Sequence, residues 1–294
     1  MSKTMKICIL GGDNRIVFLA KILVEEGYYV NTYGVEIDSS ENLCVCSSLK
    51  DAIIKSDIII TPLPFTRDNV VINSSLSQPK IWIKDIFEIA SNNQIVLAGY
   101  LNTQIYDLAA KYSIQIFDYF EREELVVSNC IPTAEGAIKI AIEELTGTLH
   151  GSNCLVMGFG RIGKILSHML NGIGSNVFVE ARKAEDLAWI NSYAYKSIEL
   201  CNLESYIGDF DVVFNTIPHV ILDEKLLKLM KKDSLIVDLA SSPGGVDYEA
   251  AEKLNIKTKL ALGLPGIVAP LASAKYIRDA VFNILKERGF KIDD

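Results

Sequence analysis

Asn153-Cys154-Leu155-Val156-Met157 is an apolar, strand-like run that passes directly into Gly158-Phe159-Gly160-Arg161-Ile162-Gly163, which opens a predicted helix over Arg161–Leu170. A GxGxxG pattern alone is common. Set between a strand and a helix in a βαβ unit, it reads as a dinucleotide-binding turn. Gly158 allows the tight turn, Gly160 lets the backbone approach a pyrophosphate, and Gly163 permits close packing of helix on sheet. The helix N-terminus offers free N–H groups and partial positive charge to phosphate. Phe159, Arg161 and Ile162 complete the candidate cofactor turn.

On both sides of this turn, short β-branched runs alternate with helical stretches. Before it, strands are predicted at Met5–Leu10, Tyr29–Tyr33, Asp57–Pro62, Gln94–Ala98 and Ile114–Asp118. Helices fall at Arg15–Glu26, Leu49–Ser56, Lys84–Ser91 and Asn102–Lys111. In the first helix Ile16, Leu19, Ala20 and Leu23 share a face, and Gly27 is a plausible stop. Beyond the turn, further strands are expected at Asn176–Glu180, Asp211–Asn215, Ser234–Leu239 and Thr258–Ala261. This rhythm implies parallel sheets with helices on both faces. The rhythm pauses after Asp118. Thr133 reads as the N-cap of a linking helix, with Glu135 and Gly136 in its first turn and Gly147 as its stop. Ala272–Arg288 reads as one long helix after Pro270. The expected architecture is α/β, with two doubly wound Rossmann-like lobes and parallel sheets. Residues 1–130 form the first lobe, 131–150 the linking helix and 151–270 the dinucleotide lobe, while a C-terminal helix at 271–290 packs back on the first lobe.

Composition narrows the class. The chain has 294 residues, 49% hydrophobic and 22% charged, an ordinary globular balance. Its formal charge of −8 argues against nucleic acid or anionic lipid as a main partner. The longest contiguous apolar runs are strand-length, so no membrane span is expected. No signal-peptide core precedes Ile7-Cys8-Ile9-Leu10, and a cytoplasmic protein is expected. The six cysteines lack zinc-site spacing, Cys44-Val45-Cys46 included, so they read as reduced thiols and no metal is expected.

The strand ends carry the remaining candidates. An acidic residue beyond the second strand of such a unit usually binds the ribose of NAD. That position falls on Ala181, 18 residues after Gly163. Glu180 is one residue early, and strand alternation turns it to the other side. Arg182 and Lys183 follow, and a guanidinium suits a 2′-phosphate, which favours NADP. The alternative is that Glu180 binds the ribose and Arg182 is surface charge. Asn215-Thr216-Ile217-Pro218 and Ser241, in tails beyond later strands, are expected to border the nicotinamide. Gly263-Leu264-Pro265-Gly266-Ile267-Val268-Ala269-Pro270 is the last such tail, with Gly266 a candidate for the substrate side or part of a simple hinge. In the first lobe, Gly11-Gly12-Asp13-Asn14-Arg15 lacks a third glycine. It is either an ordinary βα turn or a place where Arg15, beside Asp13, grips a carboxylate.

These motifs together resemble the A-subunit family of dipicolinate synthase from spore-forming bacteria. The resemblance runs over about residues 5–288. It rests on Gly11-Gly12-Asp13, Asn129-Cys130-Ile131-Pro132-Thr133-Ala134-Glu135-Gly136, Gly158–Gly163, Asn215–Pro218, Asp238–Gly245 and Gly263–Pro270. It implies an NADP-dependent oxidoreductase of the sporulating mother cell that works with a partner, the B-subunit of dipicolinate synthase. The family makes dipicolinate from the dihydrodipicolinate level (hydroxytetrahydrodipicolinate before loss of water). The Ala181-Arg182 pair matches the family pattern. Cys44–Lys50 matches no family motif.

Such a substrate is a dicarboxylate, and arginine binds carboxylates best. The chain has seven arginines against 22 lysines. Arg15, Arg67 and Arg122 lie near predicted strand ends or the lobe junction, and Thr133 with Glu135 lies at the expected start of the linking helix. His219 is the candidate base nearest the expected nicotinamide, although a lone loop histidine is commonly incidental. A homo-oligomer is left open. Two other classes compete: a non-catalytic nucleotide-binding scaffold, and an amino or hydroxy acid dehydrogenase. The latter is disfavoured, because Asn215–Pro218 lacks the arginine and no histidine follows His219.

Overall fold

The computed structural model describes residues 5–74 and 78–292. The chain divides into two compact units. Met1–Ser128 with Ala269–Asp294 form one, and Asn129–Val268 the other.

In the first unit the elements run β1 (Lys6–Leu10), α1 (Asn14–Glu25), β2 (Tyr29–Tyr33), β3 (Leu43–Val45), α2 (Leu49–Ile54), β4 (Ile58–Ile60), α3 (Ile83–Ile89), β5 (Ile95–Ala98), α4 (Thr103–Lys111) and β6 (Gln115–Asp118). The strands are all parallel, in the order β3-β2-β1-β4-β5-β6. Ile7, Ile9, Ile58 and Ile60 fill a core on one face, and Cys8, Leu10, Ile59 and Val96 one on the other. This two-sided burial explains the continuous apolar runs. The short edge strand β3, with a single buried residue, lacks that signal and escapes the sequence pattern.

Helix α5 (Glu123–Glu144) begins ten residues before the expected cap. Pro132 lies inside it, and the Thr133 hydroxyl donates to the Asn129 carbonyl at 2.7 Å instead of capping. Asp118 has already terminated the preceding segment, accepting from the Tyr100, Leu101 and Phe120 amides. By length and composition α5 is also apolar enough to cross a membrane, contrary to the sequence expectation. Its best window has a mean hydropathy of 1.3 and is 44% buried. Its apolar residues are scattered among Thr, Ala and Gly, so no contiguous run advertised them.

The second unit continues with β7 (Asn153–Met157), α6 (Arg161–Ile173), β8 (Asn176–Ala181), α7 (Ala184–Ser192), β9 (Lys196–Glu199), β10 (Val212–Asn215), α8 (Glu224–Leu227), β11 (Leu235–Asp238), α9 (Tyr248–Lys253), β12 (Lys257–Leu260) and α10 (Leu264–Val268). Its parallel order is β12-β11-β10-β7-β8-β9. In both units the strand order therefore reverses beside the first strand, at β1/β4 and at β7/β10. Ligands of doubly wound sheets bind beyond the carboxyl ends of strands at such a point. Helix α11 (Pro270–Glu287) belongs to the first unit and packs on α1 through Ile277, Val281 and Leu285. Arg278 clamps Glu26 at the end of α1.

Cys44 and Cys201 are exposed, and the other four cysteines are buried. The Cys44 and Cys46 sulfurs lie 3.9 Å apart, and burial pushes the Cys46 thiol up to about 11.

Candidate functional site

Each glycine of the turn after β7 does a separate job. Gly158 sits at φ +90°, and its N–H donates to the Glu180 carbonyl at 3.0 Å. A Cβ there would lie 2.7 Å from Thr216 Oγ1. At Gly163 a Cβ would lie 2.0 Å from the Gly158 carbonyl oxygen, so α6 meets the sheet only because no side chain intervenes. Gly160 is the N-cap of α6 and carries no side-chain cap. A Cβ there would meet nothing within 4 Å. Open space thus lies over the unblocked start of α6, and Arg161 and Ile162 are its first residues. The turn fits a dinucleotide pyrophosphate: donors face it, and no protein atom fills it. Phe159 is buried beside it, with the Lys164 ammonium 5.4 Å from its ring centre.

At the end of β8, Ala181 is buried with Val179 against the helix-α6 side of the sheet. Glu180 points to the other side. It is 1% exposed, and burial pushes its pKa up against the opposing pull of the Gly158 amide and the Arg182 charge. Arg182 is exposed and makes no hydrogen bond or ion pair among the described residues. Lys183 occupies the N-cap position of α7 and pairs with Glu185 at 3.4 Å.

The tails of β10 and β11 correct one expectation. The Asn215 side chain is fully buried and holds protein groups: Nδ2 donates to Asp238 Oδ1 at 2.8 Å and to the Ile217 carbonyl, and Oδ1 accepts from the Ile217 amide. Asp238 in turn accepts from Ala240 N, Gly245 N and the Tyr248 hydroxyl, the last at 2.7 Å. Burial, with the bond to Asp238, pushes the Tyr248 phenol up. Asn215 is therefore a brace and not a ligand contact. Asp238 and Tyr248 are the partners that sequence reasoning missed, being distant in sequence. Thr216, whose hydroxyl donates to the Met157 carbonyl at 2.7 Å, and Ile217 border Gly158 as wall residues. Pro218, His219 and Ser241 are exposed, and the Ser241 carbonyl accepts from Gly244.

In the first unit, Asp13 caps α1 and also grips Arg15. The guanidinium gives Asp13 two Nε bonds of 3.0 and 3.1 Å and an Nη2 bond of 2.7 Å, and it donates to the Leu63 carbonyl. Arg15 thus arrives already neutralised and largely buried, which corrects its reading as a free carboxylate grip. Arg122 is corrected likewise. It ties Glu124 at the start of α5 to Glu287 at the end of α11, both at 2.8 Å. Arg67 is exposed beside a cavity of about 250 Å³ that Asp68, Asn73, Gln78 and Lys80 also line. The same loop reaches the end of β1, where the Gly12 amide donates to the Asn73 carbonyl at 2.9 Å. Asn73 and Lys80 carried no motif and were not anticipated.

Thr133 and Glu135 lie in the middle of α5, so neither faces a helix N-terminus. Gly266 lies within α10 and not in an extended tail. Helix α10 packs on α5 at Gly136, where a Cβ would lie 3.0 Å from Leu264 and Val268. The two segments most specific to the resemblance are therefore packing partners.

Comparison with known proteins places both units in known families. Residues 6–120 match the family model for the N-terminal domain of the dipicolinate synthase A-subunit. Residues 133–251 match that of the D-isomer specific 2-hydroxyacid dehydrogenase NAD binding domain. The chain is 32% identical to the dipicolinate synthase A-subunit of Bacillus subtilis (strain 168), over 96% of each chain. The crystal structure of the dipicolinate synthase A-subunit from Bacillus halodurans superposes with a TM-score of 0.86 at 29% identity, covering 96% of this chain and 98% of that one. A transhydrogenase from Sinorhizobium meliloti, with a TM-score of 0.73 at 16% identity over 96% and 94% of the two chains, shares the fold. The second unit therefore carries a dehydrogenase-type domain for a nicotinamide dinucleotide. From end to end, the chain belongs to the dipicolinate synthase A-subunit family.

Proposed function

We propose that this chain is an NADP-dependent oxidoreductase that, with the B-subunit of dipicolinate synthase, converts dihydrodipicolinate to dipicolinate in the sporulating mother cell. The observation that carries the reading is the open glycine turn, with Ala181 at the ribose position and, next to it, an exposed Arg182 that makes no ion pair among the described residues. Glu180, folded into the interior, is not available to a ribose hydroxyl, which supports a 2′-phosphate over a free 2′-OH.

Forming a pyridine from a dihydropyridine removes one hydride and one proton. Bound NADP supplies the hydride acceptor. Aromatisation supplies the driving force, so the protein's part is to orient the ring. The backbone amides at the start of α6 hold the pyrophosphate, Thr216 and Ile217 wall the turn, and Arg182 takes the 2′-phosphate. In the first unit, the cavity lined by Arg67, Lys80 and Asn73 offers two cations against the single carboxylate of Asp68, which suits a carboxylate ligand. His219, exposed and without a hydrogen bond among the described residues, is the candidate proton acceptor.

The test mixes the purified chain, its B-subunit, NADP and freshly generated dihydrodipicolinate, and follows the ultraviolet absorbance of dipicolinate. Product is expected only when both proteins and NADP are present. No product from the full mixture refutes the proposal. Product from the B-subunit without this chain makes this chain a scaffold.

A further inference from the structure

Cys44-Val45-Cys46 takes no part in the dinucleotide turn or in the cavity beside Arg67. Its two thiols are unequal. Cys44, in the middle of the edge strand β3, is exposed, while Cys46, one residue past the end of that strand, is 8% exposed and belongs to the core with Ala52 and Ile53. Side chains two apart on an extended chain share a side, and here the sulfurs converge to 3.9 Å. The Cys46 amide donates to the Thr32 carbonyl of β2 at 2.8 Å, which fixes its backbone. Beyond it the chain bends through Ser47 and Ser48 into α2. A disulfide needs about 2.05 Å between sulfurs, so each has roughly 1 Å to travel.

The difference in access sets an order of reaction. A thiol meets an external disulfide only where the reagent can reach it. Cys44 is reachable. Cys46 is shielded, and burial, with Cys44 and Asp51 nearby, pushes its thiol up to about 11 against the pull of Lys55. Cys201, the other exposed thiol, has Glu199 beside it and no second sulfur. We propose that Cys44 and Cys46 form a reversible dithiol–disulfide modification site for low-molecular-weight disulfides. The Cys44 thiolate attacks one sulfur of the reagent, forming a mixed disulfide and expelling one thiolate. Cys46 gives its proton to water, attacks the Cys44 sulfur and expels the second thiolate. Two protein thiols are thereby oxidised to one disulfide, and the reagent disulfide is reduced to two thiols. A bridge across a single residue at an exposed strand is of the readily reduced kind.

The test incubates the full chain with glutathione disulfide, quenches it in acid and digests it with trypsin, which leaves both thiols in one peptide, residues 22–50. Mass spectrometry should show that peptide short of two hydrogen atoms and free of glutathione, and dithiothreitol should restore it. Cys201 should keep its glutathione. Cys46→Ser should raise the glutathione retained on Cys44 by about tenfold or more, because in the wild type the adjacent thiol expels it. Cys44→Ser is at an exposed position and carries the test even if Cys46→Ser fails to fold; it should leave Cys46 unmodified. A wild-type peptide that keeps glutathione on Cys44, or stays reduced while Cys201 is modified, overturns the proposal. So does a bridge between Cys8 and Cys46, or a Cys44→Ser chain in which Cys46 takes up glutathione as readily as Cys44 does in the wild type.

Discussion

Gly160→Ala and Gly163→Ala add the same methyl group three residues apart, yet they should fail in different ways. At Gly163 the new Cβ would lie 2.0 Å from the Gly158 carbonyl oxygen. Ordinary carbon–oxygen contact needs more than 3 Å, so helix and turn must part by roughly 1 Å, and the obstacle is backbone that cannot rotate away. Overpacking of this kind costs about 1–3 kcal/mol. Gly163→Ala should lie at the upper end, lowering Tm and distorting the turn together. At Gly160 the backbone has φ −78°, open to any residue, and the Cβ meets nothing within 4 Å. Alanine is a poorer N-cap than glycine, by about 1 kcal/mol at most. Gly160→Ala should therefore fold with nearly the wild-type Tm. Its methyl group occupies the space assigned to the pyrophosphate, where a misplacement of about 1 Å costs on the order of 100-fold. Thermal unfolding without nucleotide, paired with a fluorescence titration of NADPH, reads both quantities. If Gly160→Ala binds NADPH like the wild type, the phosphates do not rest on this turn and the site argument collapses. If Gly163→Ala keeps its Tm, the packing argument does.

Three further outcomes are expected. Arg182→Ala should weaken NADPH binding about 10- to 100-fold more than NADH binding, as loss of a charge-assisted bond predicts; equal weakening in parallel titrations would reject the 2′-phosphate assignment. Burial raises the Glu180 pKa above its unfolded value, so its neutral form is fully favourable below the unfolded pKa near 4.3, and stability is lost as pH rises from there towards the folded pKa, by up to about 1.4 kcal/mol per pH unit. Glu180→Gln should remove that decline, so urea midpoints of the two proteins should diverge in favour of the variant as pH rises above the unfolded pKa, and parallel curves would contradict this. Asp238→Ala removes the acceptor of three buried donors, from Asn215, Ala240 and Gly245, and of the half-buried Tyr248 hydroxyl, and should cost about 3 kcal/mol or more in denaturant unfolding, against about 1 for Tyr248→Phe.

What could be read from sequence followed from what is local. The middles of strands β1, β4, β7 and β10 are continuous apolar runs because both faces are buried, and the glycine turn announces its own geometry. Strands β3 and β9 lie at sheet edges with one buried residue each, which leaves no periodic signal. The start of α5 was obscured by Pro132, whose place inside the helix depends on neighbours and not on its own preference. Side-chain roles were harder still. Asn215 looks like a ligand contact until Asp238, distant in sequence, is seen to hold it. Arg15 looks like a free cation until Asp13 folds back on it. Polar residue types reveal chemical capacity, and only tertiary structure shows which capacity is already engaged.

The uneven exposure of the cysteines has a practical use. Cys44 lies in one compact unit and Cys201 in the other, and both sulfurs are accessible, while the remaining four are buried. The natural chain thus carries two dye-attachment points, one per unit, without engineered substitutions. Fluorescence energy transfer between them would report whether their separation changes when nucleotide is added.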